Sequence, residues 1–127
     1  MDTRSKILDP AALAAQAAAW RAAGERVAVV ESSFDPLLAE HAAQLEPLAA
    51  AGRVVAIVRD GPDPILPAAV RAELAASLRA VSAVLKPGAG EPDLAGCARI
   101  SFLEQDEKTA RAFVAHVHAR SGARAAE

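Results

Sequence analysis

Tyrosine is absent from this 127-residue chain, and its aromatic residues are three phenylalanines and one tryptophan. With so few rings, and with fourteen Lys and Arg forming no basic run, neither base stacking nor neutralisation of a phosphate backbone is advertised, so nucleic acid is not an expected partner. A single cysteine, Cys97, excludes an internal disulfide, and one thiol with three scattered histidines gives no metal-ligand spacing. A reducing cytoplasm is the compartment this implies. Long apolar runs are missing as well: nothing approaches the roughly 20 residues of a membrane-spanning helix, and Met1-Asp2-Thr3-Arg4-Ser5-Lys6 is no secretory leader. A soluble protein with no membrane partner is expected.

What is abundant is alanine, which swells the 53% hydrophobic fraction while burying little area per residue. The core must therefore come from a modest set of Leu, Val, Ile and Phe side chains with Trp20. At this length one compact domain is expected, over residues 1–121, with 122–127 as a disordered tail.

Asp9-Pro10 pairs a capping carboxylate with a proline at the first helical position, and Gly24 ends the helix that follows. Residues 26–30 (Arg-Val-Ala-Val-Val) read as a strand buried on both faces. Asp35-Pro36 repeats the cap signal and opens a second helix that carries Pro47 and stops at Gly52. Residues 54–58 form the second strand, and Asp60-Gly61-Pro62-Asp63-Pro64 a loop. Pro67 begins a third helix whose Val70, Leu74, Ala75, Leu78 and Val81 form a stripe suited to lie on a sheet. A third strand is expected at 81–85, a flexible connection at 87–92, a fourth strand near an edge at 97–103, and a last helix at 107–120. The alternation predicts an α/β fold, a three-layer α/β/α Rossmann-like architecture on a mainly parallel sheet. Such sheets bind ligands at the carboxyl ends of their strands, so function is to be sought at Glu31-Ser32-Ser33-Phe34-Asp35-Pro36.

The run from Arg26 to Asp35, followed by His41, resembles the strand, Gly-x-Phe-Asp turn and His-x-Gly-His helix start of the cytidylyltransferase-like nucleotidyltransferases, in particular the nucleotidyltransferase domain of bacterial bifunctional ADP-heptose synthases. The likeness continues through the second strand into the helix from Leu66 to Val81, where Arg71 stands for a family arginine, and fades after Lys86. It implies a nucleotidyltransferase-type fold, CTP or ATP as nucleotide, and transfer to a sugar phosphate or alcohol phosphate with Mg²⁺. It also implies that Ser32, Ser33, Phe34, Asp35 and Arg71 bind nucleotide or phosphate and that His41 occupies a catalytic position. Related domains often pair, so a homodimer is expected.

Departures from the family pattern fall on the same site. In the full motif two histidines on one helix face stabilise charge on the phosphates, and two glycines leave room for the nucleotide and let backbone amides approach it. Here Leu38 replaces the first histidine, Glu40 the motif glycine and Ser32 the turn glycine, while Phe34, Asp35 and His41 match. Loss of one such donor typically costs about 10²–10³ in rate. The family's lysine-bearing segment is shortened to residues 59–66 without lysine, and its Ser-Thr-rich phosphate motif is replaced by Glu104-Gln105-Asp106-Glu107-Lys108-Thr109. Two readings follow. One is a degenerate nucleotidyltransferase-like protein, a pseudoenzyme that binds a nucleotide or a phosphorylated small molecule without full transferase activity. The alternative is an active, divergent cytidylyl- or adenylyltransferase, which alone would require Mg²⁺.

Each residue also has a plainer reading. His41 can be a packed or solvated helix histidine, Arg71 a solvated helix arginine, Asp35 a helix cap, and Ser32 and Ser33 ordinary turn residues. His116 and His118, two apart on a helix, point to different faces and read as surface residues; Cys97 reads as core. Trp20 suits packing of the first helix or a subunit contact.

Overall fold

A computed structural model describes residues 2–34, 39–60 and 66–103, with Ala39 and Glu40 by their backbone. Asp35, Pro36, Leu38, the loop at 61–65, the expected last helix with His116 and His118, and the tail lie outside the described residues.

A 3₁₀ turn, Thr3–Lys6, leads into a two-residue strand β1, Ile7–Leu8. Asp9 then caps helix α1, Pro10–Ala22, by accepting a hydrogen bond from the Ala12 amide at 2.7 Å, and Gly24 at φ +85° ends it. Strand β2 is Val27–Ser32, helix α2 is Ala39–Ala51 with Pro47 inside it, and strand β3 is Arg53–Val58. Helix α3, Ala68–Ser77, and strands β4, Ala83–Leu85, and β5, Ala98–Ser101, complete the described elements.

All five strands are parallel, in the order β1-β4-β3-β2-β5. The alternation of side chains along each strand divides the core in two. Val27 and Val29 meet Leu13 and Ala17 of α1, with Val55, Ile57, Ala83 and Leu85 beside them. On the opposite face Val30, Val54, Ala56 and Val84 meet Leu45 of α2 and Ala72, Ala75 and Ala76 of α3. This is the three-layer Rossmann-like α/β arrangement expected from the sequence. From β2 the chain steps through β3 to β4 in one direction, then places β5 on the other side of β2. The topological switch therefore lies between β2 and β5, where the carboxyl ends of an open parallel sheet leave a crevice.

Several boundaries differ from the expectation, each for a tertiary reason. Glu31 and Ser32 are not turn residues: they extend β2, paired with Ile57 and Val58 of β3. The third helix ends at Ser77 rather than continuing toward Val81, because the chain turns through Leu78 to Val81, held by Val81 N–H donating to Leu78 O at 3.2 Å. Lys6 reinforces the turn by donating from Nζ to Leu78 O and Val81 O at 3.1 and 2.8 Å. The buried stripe of α3 is Arg71, Ala72, Ala75 and Ala76, whereas Val70 is 40% exposed. The small alanines let the helix lie close on the sheet, and the Arg71 head group is drawn inward by its hydrogen bonds. Strand β1 was not foreseen, since two apolar residues give no periodicity to read.

Gly52 joins α2 to β3 against the start of β2, and a Cβ there would lie 2.3 Å from the Arg26 carbonyl oxygen. Because that neighbour is backbone and cannot rotate away, Gly52→Ala is expected to destabilise the protein by about 1–3 kcal/mol in urea unfolding. An unchanged midpoint would contradict this close approach.

Candidate functional site

At the carboxyl end of β2, adjacent residues point to opposite faces of the sheet, and the two faces carry different chemistry. On the α2 and α3 side lie Ser32, Ser33, Phe34, His41 and Arg71, all buried. Phe34 is in the left-handed region at φ +48°, a backbone strain of about 1–3 kcal/mol for a bulky residue. Its fully buried ring packs in the core, and its amide donates to Ser32 Oγ at 3.3 Å, which holds the sharp exit from the strand. The left-handed position is thus two residues beyond Ser32. His41, in the first turns of α2, is 3% exposed and packs its ring on Phe34 with centroids 5.8 Å apart and planes tilted by 44°.

Arg71 projects from α3 under this turn and is 1% exposed. Its Nε donates to Leu66 O at 2.9 Å, and its Nη1 to Ser33 O and Arg59 O at 3.2 and 3.1 Å, while Nη2 pairs with Asp60 Oδ1. The planar guanidinium, with donors in a rigid fork, is suited to hold three separate carbonyls at once. It ties the exits of β2 and β3 to the approach of α3.

On the α1 side of the same strand ends, Glu31 Oε1 accepts from Arg59 Nη2 at 3.2 Å. Arg59 also forms a forked pair with Glu91, its Nη1 donating to Oε1 and its Nη2 to Oε2, the latter at 3.0 Å. Arg99 of β5 adds an ion pair to Glu31 at 3.9 Å. Hydrogen bonding to Glu91 first, and to Glu31 second, raises the Arg59 pKa against the opposing effect of burial. The same contact holds the Glu91 carboxyl below its ordinary range. Glu91 belongs to the connection from β4 to β5, whose Gly88 and Gly90 adopt φ of +76° and +98°.

The described site residues are therefore brought together: Phe34 contacts both Ser32 and His41, and Ser33 is bonded to Arg71. Asp35, Leu38 and the side chain of Glu40 lie outside the described residues. Arg59, Asp60 and Glu91 as partners of the site were missed from the sequence. Arg59 was within reach as the first residue after β3, but Glu91 is brought to it only by the tertiary path of the β4–β5 connection. Cys97 is partly buried beside the α1-side core, where Trp20 also packs.

No family model, curated protein or solved structure matches the chain. Among the described residues no helix is long and apolar enough to cross a membrane, and no three metal-ligating side chains are grouped. Glu31, Glu91 and Asp60 are each paired with an arginine, so these carboxylates do not fit a ligand set for Mg²⁺. A recess of about 630 Å³ lies at the opposite end of the sheet, bordered by Arg26, Arg53 and Arg79. The carboxyl ends of α1, α2 and α3 are at that end, and their partial negative charge opposes an anion there. The carboxyl ends of the strands remain the better placed site.

Two outcomes are expected. Arg71→Met should lower the unfolding free energy by about 3 kcal/mol or more, because the carbonyls it serves lose a charge-assisted donor, and Arg71→Lys should recover only part of the loss. Equal stability of Arg71→Met and the unsubstituted protein in urea would refute the tie. For Glu91, the depressed carboxyl pKa means that the pair stabilises the fold above the unfolded-state value and that this is lost as pH falls through the folded value. With Glu91 58% exposed the effect is discounted to about 0–1 kcal/mol, and Glu91→Gln should abolish it when unfolding is compared at neutral and acid pH.

Proposed function

We propose that this protein is a degenerate nucleotidyltransferase-like module that binds a nucleotide or a phosphorylated small molecule at the carboxyl end of β2 and lacks full transferase activity. The observation that carries the reading is the engagement of both arginines at the strand ends: Arg71 with three carbonyls and Asp60, Arg59 with Glu31 and Glu91. A transferase needs cationic or hydrogen-bonding groups aimed at the charge that develops as pyrophosphate leaves, preorganised and not neutralised by the protein's own carboxylates. Here Arg71 is a brace, Arg59 is neutralised, and the sequence supplies leucine at the position of the first motif histidine.

Support for ligand binding comes from position. The crevice between β2 and β5 is where parallel sheets of this kind take ligands, and the helices that follow the strands favour an anion there. His41, Ser32 and Ser33 are polar groups buried at that crevice beside a strained turn, and strain of this kind gathers at binding sites. The nucleotide would be CTP or ATP on the sequence resemblance. A cytoplasmic location and a homodimer belong to the same proposal.

The test is to incubate the purified protein with CTP or ATP, Mg²⁺ and a panel of phosphorylated acceptors, measuring pyrophosphate release and nucleotide binding together. Expected are saturable binding that weakens in His41→Ala and no release above the protein-free rate. Release that disappears in His41→Ala would overturn the pseudoenzyme reading in favour of an active, divergent transferase. Absence of both release and binding would overturn the binding site as well.

A further inference from the structure

The two engaged arginines are not equivalent, and the difference points to a binding group beyond those already considered. Arg71 is 1% exposed and tied to backbone in three directions. Arg59 is 31% exposed, and its forked partner, Glu91, is 58% exposed and sits on the connection between β4 and β5. A guanidinium that donates a forked pair of hydrogen bonds to a carboxylate also matches a phosphate in shape and charge. Resting on the ligand site described above, we propose that Arg59 is the phosphate-binding arginine of this crevice and that Glu91 is an internal competitor, a carboxylate that occupies Arg59 until a phosphate group displaces it.

Three features favour this assignment. Arg59 follows β3 directly, and its backbone amide donates to Ser32 O at 2.9 Å, so its side chain is anchored beside the end of β2. Charge at the cluster is balanced while Glu91 is in place: Arg59 and Arg99 against Glu31 and Glu91. Removal of Glu91 leaves one net positive charge at the crevice, with Arg99 still beside Glu31. Finally, the segment that carries Glu91 can part from Arg59 without disturbing the core. Its neighbours Gly88 and Gly90 are exposed and in left-handed conformations, while the connection is held farther on, by buried Leu94 and by Arg21 Nη1 donating to Ala95 O at 3.0 Å. Glu31 remains with Arg59 throughout and keeps the guanidinium aimed along the strand ends.

Inorganic pyrophosphate is the probe, with binding followed by calorimetry and by the amide resonances of Arg59, Ser33 and Phe34. Glu91→Gln, which keeps the size of the side chain and removes its charge, is expected to tighten pyrophosphate binding by roughly 2- to 5-fold, the change equivalent to loss of one exposed ion pair. Arg59→Gln is expected to weaken it in both backgrounds, and His41→Ala to leave the effect of Glu91→Gln in place. Unchanged affinity in Glu91→Gln while the wild type binds CTP or ATP would overturn this proposal and leave the ligand site standing. Binding of pyrophosphate by Glu91→Gln, lost in the double variant with Arg59→Gln, would support it even if the wild type bound no nucleotide. No binding of pyrophosphate by either the wild type or Glu91→Gln would overturn it outright.

Discussion

A charged head group buried beneath a turn is the constraint around which the carboxyl end of this sheet is organised. Taking a guanidinium from water is costly, and the cost is offset only where its donors are satisfied with good geometry. Arg71 meets that condition with Leu66, Ser33, Arg59 and Asp60, which belong to the exits of two strands and the approach to α3. The position of each of these segments is therefore coupled to the others through one side chain. Phe34 can hold its left-handed backbone because the carbonyl before it is bonded from below and its own ring is locked in the core.

The same arrangement decides what chemistry the site can perform. Parallel strands bring Glu31 and Arg59 to the α1 side and Ser32, with His41 and Arg71, to the other, so the strand end separates an ion-pair cluster from a buried polar turn. Positive charge is present but matched by carboxylates and carbonyls of the protein itself. Under the proposed function, a site built in this way would recognise an anion by exchange of partners and would be poorly prepared to stabilise charge that appears during a reaction. That is the physical content of the proposal that the chain is a nucleotidyltransferase-like binding module.

Much of the fold was legible because its signals are local. Asp9-Pro10 and Gly24 bracket α1 as capping chemistry requires, and the β-branched runs at 26–30 and 54–58 became the central strands β2 and β3. Where prediction failed, a distant partner had the deciding influence. Strand β2 runs on through Ser32 because β3 offers it a ladder, β1 exists because β4 does, and α3 is rotated from its most apolar stripe because Arg71 is pulled inward. The candidate site shows the same division. Ser32, Ser33, Phe34, His41 and Arg71 were all named from the sequence, and the structure gathers them at one strand end, yet nothing in the order of residues pairs Arg59 with Glu91 across the intervening chain.

By itself, then, the sequence determined the order of the described helices and of strands β2 to β5, together with the layer architecture, because caps, glycine stops and apolar periodicity act within a few residues. Only the tertiary structure decided how the charges at that end are used. Burial made Arg71 a brace and left Arg59 partly exposed in its pair with Glu91, and burial is a property of the assembled fold, not of the residue or its neighbours in the chain.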